Sequence, residues 1–286
     1  MENQSVLSKY KRQPKIYISL PSGGKWYPEN PLDKSGSGEL PVYSMTARDE
    51  LAIKTPDALM NGESTASVIK SCCPLLGDPW AMPTIDLDAL LIAIRIATYG
   101  EKMDVEVPIT GIKTDKLLSE TFVVDLREVL DQLQGKEWPE TFAHGDLIFH
   151  LRPMTYKQQT SLGSATYESQ RLASMISKDG VPEADKIEAF KQGIKKLGQM
   201  NMDTICMHVR AIETPEGKEE NESAIRDFFE NTDKDTFVAL QRHLEKVRDA
   251  WSIPPKTFKT PQEYIDQGAS ETINVPMIFD QSNFFV

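Results

Sequence analysis

The stretch Leu87 to Gly100, LDALLIAIRIATYG, limits the fold more than any other part of the chain. A helix here carries Leu87, Leu90, Leu91, Ile94 and Ile96 with almost no polar face, so the rest of its domain has to wrap around it. Thr84 or Asp86 stands where an N-cap belongs, and Gly100 stands where the helix should stop. Arg95 is the one basic residue inside it. A lone cation on such a helix is expected to pair with a carboxylate of the 45–62 segment or to carry its charge out to the surface.

The preceding segments supply the wrapping. Ile16-Tyr17-Ile18-Ser19-Leu20 alternates like a short strand, Pro21-Ser22-Gly23-Gly24 turns it, and Glu39-Leu40-Pro41-Val42-Tyr43 returns as a hairpin partner. Gly23-Gly24-Lys25 is not a phosphate loop: the earlier glycine is missing, and Trp26-Tyr27-Pro28 follows where Ser or Thr would open a helix. In Met45 to Met60, MTARDELAIKTPDALM, Thr46 caps a short helix with Asp49 and Glu50 in its first turn. Thr55-Pro56 interrupts it, and a second turn runs through Leu59 and Met60 to Asn61-Gly62. Exposed acids in one half and an apolar end in the other suit either a docking module or an ordinary helical corner. Ser64 to Cys73 reads as a further helix, stopped by Pro74.

Beyond Gly100 the apolar period changes from helical to two. Met103, Val105 and Val107 lead out and Thr121 to Asp125 return as a hairpin. A short helix spans Leu126 to Gln134, and Trp138 to Phe142 pairs with Leu147 to Leu151. Helical patterns then dominate from Thr155 to Ala250. One helix runs to about Lys178, another runs from Ala184 to about Leu197, and a helical face continues through Met200, Ile205, Met207, Val209 and Ile212. Glu216 to Glu222 is an acidic solvated loop, Asn221 or Ser223 caps the next helix, and Asp233 begins the last one. The sum is an α+β chain. Residues 1–153 form an N-terminal domain of hairpins and short helices around one apolar core helix, 154–252 a mainly helical second domain, and 253–286 an extended, hairpin-like tail ending in Phe284 and Phe285.

Composition narrows the chemistry. A net charge of −11 over 286 residues opposes general nucleic-acid binding, which needs a basic face. No run reaches the ~18 apolar residues of a membrane span, and MENQSVLSKYKRQPK lacks the apolar centre of a signal peptide, so a cytoplasmic origin is expected. Cys72, Cys73 and Cys206 are odd in number and two are adjacent, which favours thiols over a disulfide framework. His144, His150, His208 and His243 show no metal-ligand spacing, and no nucleophile elbow, dinucleotide fingerprint or CxxC pair is present. The expectation is therefore no catalytic residue, no cofactor and no metal.

Four segments together carry a resemblance: PSGGKWYP (Pro21 to Pro28), SMTARDELAIKTPDALMNG (Ser44 to Gly62), RIATYG (Arg95 to Gly100) and the closing NFF (Asn283 to Phe285). In these the chain resembles the baseplate hub protein family of T4-like contractile-tailed bacteriophages. The likeness is concentrated in the N-terminal third, and nothing from about 155 to 250 contributes to it. It implies a non-enzymatic late protein of the viral tail, assembled in the host cytoplasm into the baseplate of the virion. Such a protein acts by contact with other hub or tail proteins or with further copies of itself. Trp26, Tyr27, Arg48, Asp49, Glu50, Leu59, Met60, Phe284 and Phe285 are the candidate contact residues. Two other roles stand beside a retained structural subunit: an assembly chaperone absent from the mature virion, and, more distantly, a tail-associated hydrolase, which needs a cleft of perturbed carboxylates or a metal. Members of the family carry CxxC pairs where this chain has Pro108 to Gly111 and Thr257 to Thr260. The resemblance thus implies that Met103 to Asp125 and Thr257 to Phe279 are two metal-free versions of one hairpin.

Overall fold

A computed structural model describes residues 11–54, 62–109, 111, 118–176 and 182–277. The chain is 49% helical and 22% strand, and every strand pair among the described residues is antiparallel, so the class is α+β.

The core helix spans Leu87–Tyr99. Ala89 to Ile94 are all buried, which is the outcome its nearly all-apolar sequence demands. The hairpin of Pro14–Ile18 and Leu40–Tyr43 buries Ile18, Leu40 and Val42 in the same cluster. A second hairpin, Lys102–Ile109 with Leu118–Asp125, follows the core helix, and Asp125 caps the helix Leu126–Leu133 by accepting from the Arg127 amide. The helix Glu63–Cys72 begins at Gly62 in the left-handed region, φ 76°. A Cβ at Gly62 would lie 2.8 Å from the Tyr156 hydroxyl and 3.1 Å from Thr160. Gly62→Ala is expected to lower stability by about 2 kcal/mol through backbone strain plus this crowding. An unchanged urea midpoint would show that the contact relaxes freely.

The C-terminal segment is not a separate extension as far as residue 277. Lys256–Lys259 pairs with Thr272–Val275, and this hairpin packs on the earlier one. Phe122 and Phe258 stack with ring centroids 4.6 Å apart, and the Tyr264 hydroxyl donates to Glu120 at 3.1 Å. Gly111 and Gly268 meet so closely that a Cβ on either would lie 3.3 Å from the other's carbonyl oxygen. Ile253, Phe258 and Met277 thereby join the cluster that surrounds the core helix.

The remaining described segments gather around a four-stranded sheet, Thr141–His144, Leu147–Leu151, Val209–Thr214 and Gly217–Glu219 in that order. This sheet corrects two expectations. A boundary at Pro153 would cut it, because two strands precede that residue and two follow. The helical face expected through Val209 and Ile212 ends at His208, where Val209, Ile212 and Thr214 turn the chain to strand by β-branching. Part of the expected acidic loop, Gly217–Glu219, is the exposed outer strand. Phe149, Leu151, Val209 and Ile212 face Ile225 and Phe229 of the helix Glu222–Asn231 and Leu240 of the helix Lys234–Trp251 in a second core. Asn221 and Asp233 cap those two helices as the sequence predicts.

Two long helices, Tyr156–Ile176 and Glu183–His208, run side by side. The second continues past Leu197, where the sequence reading stops it, because Met200 and Ile205 extend its inner faces. Lys196 pairs with Glu168 across the two. Among the described residues no helix is long and apolar enough to cross a membrane.

Candidate protein-binding surface

The described parts of the three N-terminal segments 21–28, 44–62 and 95–100 pack into the cluster around the core helix. Asp86 is fully buried and makes no cap bond to the core helix. Its carboxylate accepts instead from the Ser22 amide at 2.7 Å, the Ser22 hydroxyl at 2.5 Å and the Tyr27 hydroxyl at 2.8 Å. Both ends of the 22–27 loop are thus pinned to one carboxylate. Gly23, Gly24 and Trp26 take left-handed backbone between the pins, Trp26 with φ 63°, a strained conformation for a bulky residue. Burial pushes the Asp86 carboxyl up to about 6 against the pull of its three donors, while burial and the Asp86 charge push the Tyr27 phenol well above its usual range.

A second network joins MTARDEL to the helix Glu63–Cys72 and to Arg12, just before the first strand. Thr46 and Asp49 form a reciprocal capping box on the helix Ala47–Ile53. The Asp49 carboxylate also accepts from the Ser71 hydroxyl at 2.9 Å and lies 3.7 Å from the Arg12 guanidinium. Arg12 in turn donates to the carbonyls of Ser44 and Ser71 at 2.6 and 2.5 Å. RIATYG closes the circle, for Thr98 accepts from the Met45 amide at 3.0 Å. Arg95 does not pair directly with a carboxylate of this helix. It lies over the Tyr99 ring, 4.4 Å from its centroid, and its Nε and Nη1 have no hydrogen-bond partner. Burial, then the charge of nearby Glu50, raises the Tyr99 phenol.

The candidate contact residues therefore separate. The expectation of exposed acids in the first turn is corrected for Asp49, which is buried and fully engaged, and Tyr27 is likewise turned inward onto Asp86. Glu50 is half-buried, Arg48 is exposed, and Trp26 is half-buried beneath Lys25, whose ammonium sits 5.9 Å from the indole and pairs with Glu140. Leu59, Met60, Phe284 and Phe285 lie outside the described residues.

Two features escaped the sequence reading. One is a cleft of about 490 Å³ between the two cores, lined by Asp88, Trp138, His208, Gln241, Arg248 and Trp251 among others. Trp138 stacks on His208 at 6.0 Å and tilts against Trp251 at 5.8 Å, yet its indole N–H is buried without an acceptor. Burial raises Asp88 and lowers His208, and the His208 Nδ1 donates to the Arg152 carbonyl at 2.9 Å. Among the described residues no group of three or more His, Cys, Asp or Glu could hold a metal ion. The other feature is the outer face of Glu183–His208, where Ile187, Phe190, Ile194 and Leu197 all stand exposed. Their 3-4-3 spacing was present in IEAFKQGIKKL. It passed for ordinary bundle packing because periodicity alone does not say which face meets a neighbour. No family model, no curated protein and no solved structure matches the chain.

Proposed function

We propose that this chain is a non-enzymatic structural subunit of the baseplate hub of a contractile-tailed bacteriophage, acting by contact with other hub or tail proteins. The observation that carries the contact role is the apolar outer face of the long helix, four large side chains in register that the described residues leave half exposed. Aligned apolar exposure of this kind marks a protein interface. The phage assignment rests on the likeness of PSGGKWYP, SMTARDELAIKTPDALMNG and RIATYG to the hub family. The Met45–Thr98 bond ties two of these segments together, and PSGGKWYP is pinned to Asp86 at the start of the helix that ends in RIATYG, which supports reading their described parts as one unit. With Asp49 and Tyr27 facing inward, that unit offers Arg48, Glu50 and Trp26 to a partner.

Mass spectrometry of purified mature virions tests the assignment. The chain is expected at a fixed ratio to the other tail proteins. Its absence from virions, with tails failing to assemble when its gene is deleted, would replace the subunit by an assembly chaperone.

A further inference from the structure

The outer face of Glu183–His208 holds more information than its apolarity. Ile187, Phe190, Ile194 and Leu197 are 50, 59, 55 and 53% exposed, and their spacing is that of the seam by which one helix packs along another. The same 3-4 progression continues to Asn201, Thr204 and His208, all of which line the cleft that Trp138 also lines. Seam and cleft thus form one track about 30 Å long, the length of a helix of about 20 residues.

The flanks of the seam differ. Tyr156–Ile176 packs along one side, with Lys196 held by Glu168. On the other side Lys191 and Lys195 are exposed, and among the described residues neither enters an ion pair, although the chain as a whole carries −11. A second copy is a poor occupant in an antiparallel twofold contact, because that contact sets the lysine flank against its own counterpart. Its size also argues against a permanent dimer. Four half-exposed apolar side chains offer on the order of 400 Å², about half of what one partner of a standard interface buries.

We infer that this track binds one amphipathic helix from a different protein, with apolar residues at heptad spacing and glutamate or aspartate along the edge that meets Lys191 and Lys195. This names the partner class for the contact role proposed above and rests on that role, not on the phage assignment. The partner's apolar side chains cover Ile187 to Leu197, and the end of its helix reaches the cleft lined by Asn201, Thr204 and His208.

The test uses the full chain and two synthetic helix-stabilised peptides with the same leucine heptads, one edged with glutamate and one with lysine, in fluorescence anisotropy at low salt. The glutamate peptide is expected to bind ~10-fold or more tightly than the lysine peptide, and Lys191→Glu with Lys195→Glu is expected to reverse that order. Ile194→Asp should remove binding while circular dichroism shows an unchanged melt, since the residue is exposed. Equal affinity for both peptides, no binding of the glutamate peptide, or binding indifferent to Ile194→Asp would overturn the proposal. So would sedimentation showing a dimer of the chain that Ile194→Asp dissolves, which would make a second copy the occupant. Absence of the chain from virions would sink the retained-subunit assignment and leave the peptide result standing.

Discussion

Asp86→Ala is expected to destabilise the chain by on the order of 4 kcal/mol, because it leaves the Ser22 amide, the Ser22 hydroxyl and the Tyr27 hydroxyl buried without their acceptor. Urea denaturation at pH 7 measures it, and a loss below about 1 kcal/mol would mean that the 22–27 loop finds other acceptors. The same carboxyl gives a pH signature. Its folded-state pKa is raised from 3.8 to about 6, so in this range the folded chain binds the proton more tightly than the unfolded chain. The stability it contributes is full below about pH 4 and is lost as pH rises through about 6, by roughly 3 kcal/mol for a shift of about two units. Asp86→Asn cannot ionise, and its stability is expected to lack this component of the slope between pH 4 and 7. A wild-type slope in the variant would assign that titration to another group.

Phe149→Ala should cost a similar amount, about 4 kcal/mol, by a different mechanism. Phe149 has no solvent exposure and sits among Phe142, Phe228 and Phe229 at centroid distances of 6.2, 6.3 and 5.9 Å. Truncation loses the transfer energy of the ring and leaves a void that the sheet and the helix Glu222–Asn231 can only partly close. The effect lies in the second core and Asp86 in the first, so Phe149→Ala is expected to keep the wild-type pH slope while shifting the whole curve down. A flattened slope in this variant would show that the two cores are coupled more tightly than their separate contacts indicate.

The sequence was most legible where a local signal and the global packing demanded the same thing. LDALLIAIRIATYG had no polar face, so burial was its only outcome. Thr46, Asn221 and Asp233 cap the helices they precede because a short polar side chain before an apolar run satisfies orphan amides whatever lies around it. Asp86 was misread for the same reason: it stands where a cap should, but three donors from residues 22 and 27 outcompete the helix amides, and that choice depends on a loop far away in sequence. The end of the long helix at His208 was invisible because Met207, Val209 and Ile212 fit both periods until the sheet partner Leu147–Leu151 is known. For the candidate surface, the residue types were plain and their direction was not. Asp49 looked available for a partner until Ser71 and Arg12 were found around it. Ile187 and Phe190 looked internal until the neighbouring helix was found on their other side.

The packing of Lys256–Lys259 and Thr272–Val275 back onto the hairpin at 102–125 has a consequence for how the chain is made. The core helix leaves the ribosome early, but Phe258 and Met277, which help cover its cluster, come only after the whole second core has been translated. At ~5–20 residues per second that interval is about ten seconds or more. The sheet and helices around Phe149 are complete in sequence before the cluster that starts first can close. The order of completion is therefore inside-out: the inserted part finishes first, and the two hairpins whose connecting segments carry Gly111 and Gly268 form the last joint. A nascent chain stalled near residue 250 would present the Phe122 face of that joint uncovered, a target for whatever in the cell binds unfinished apolar surface.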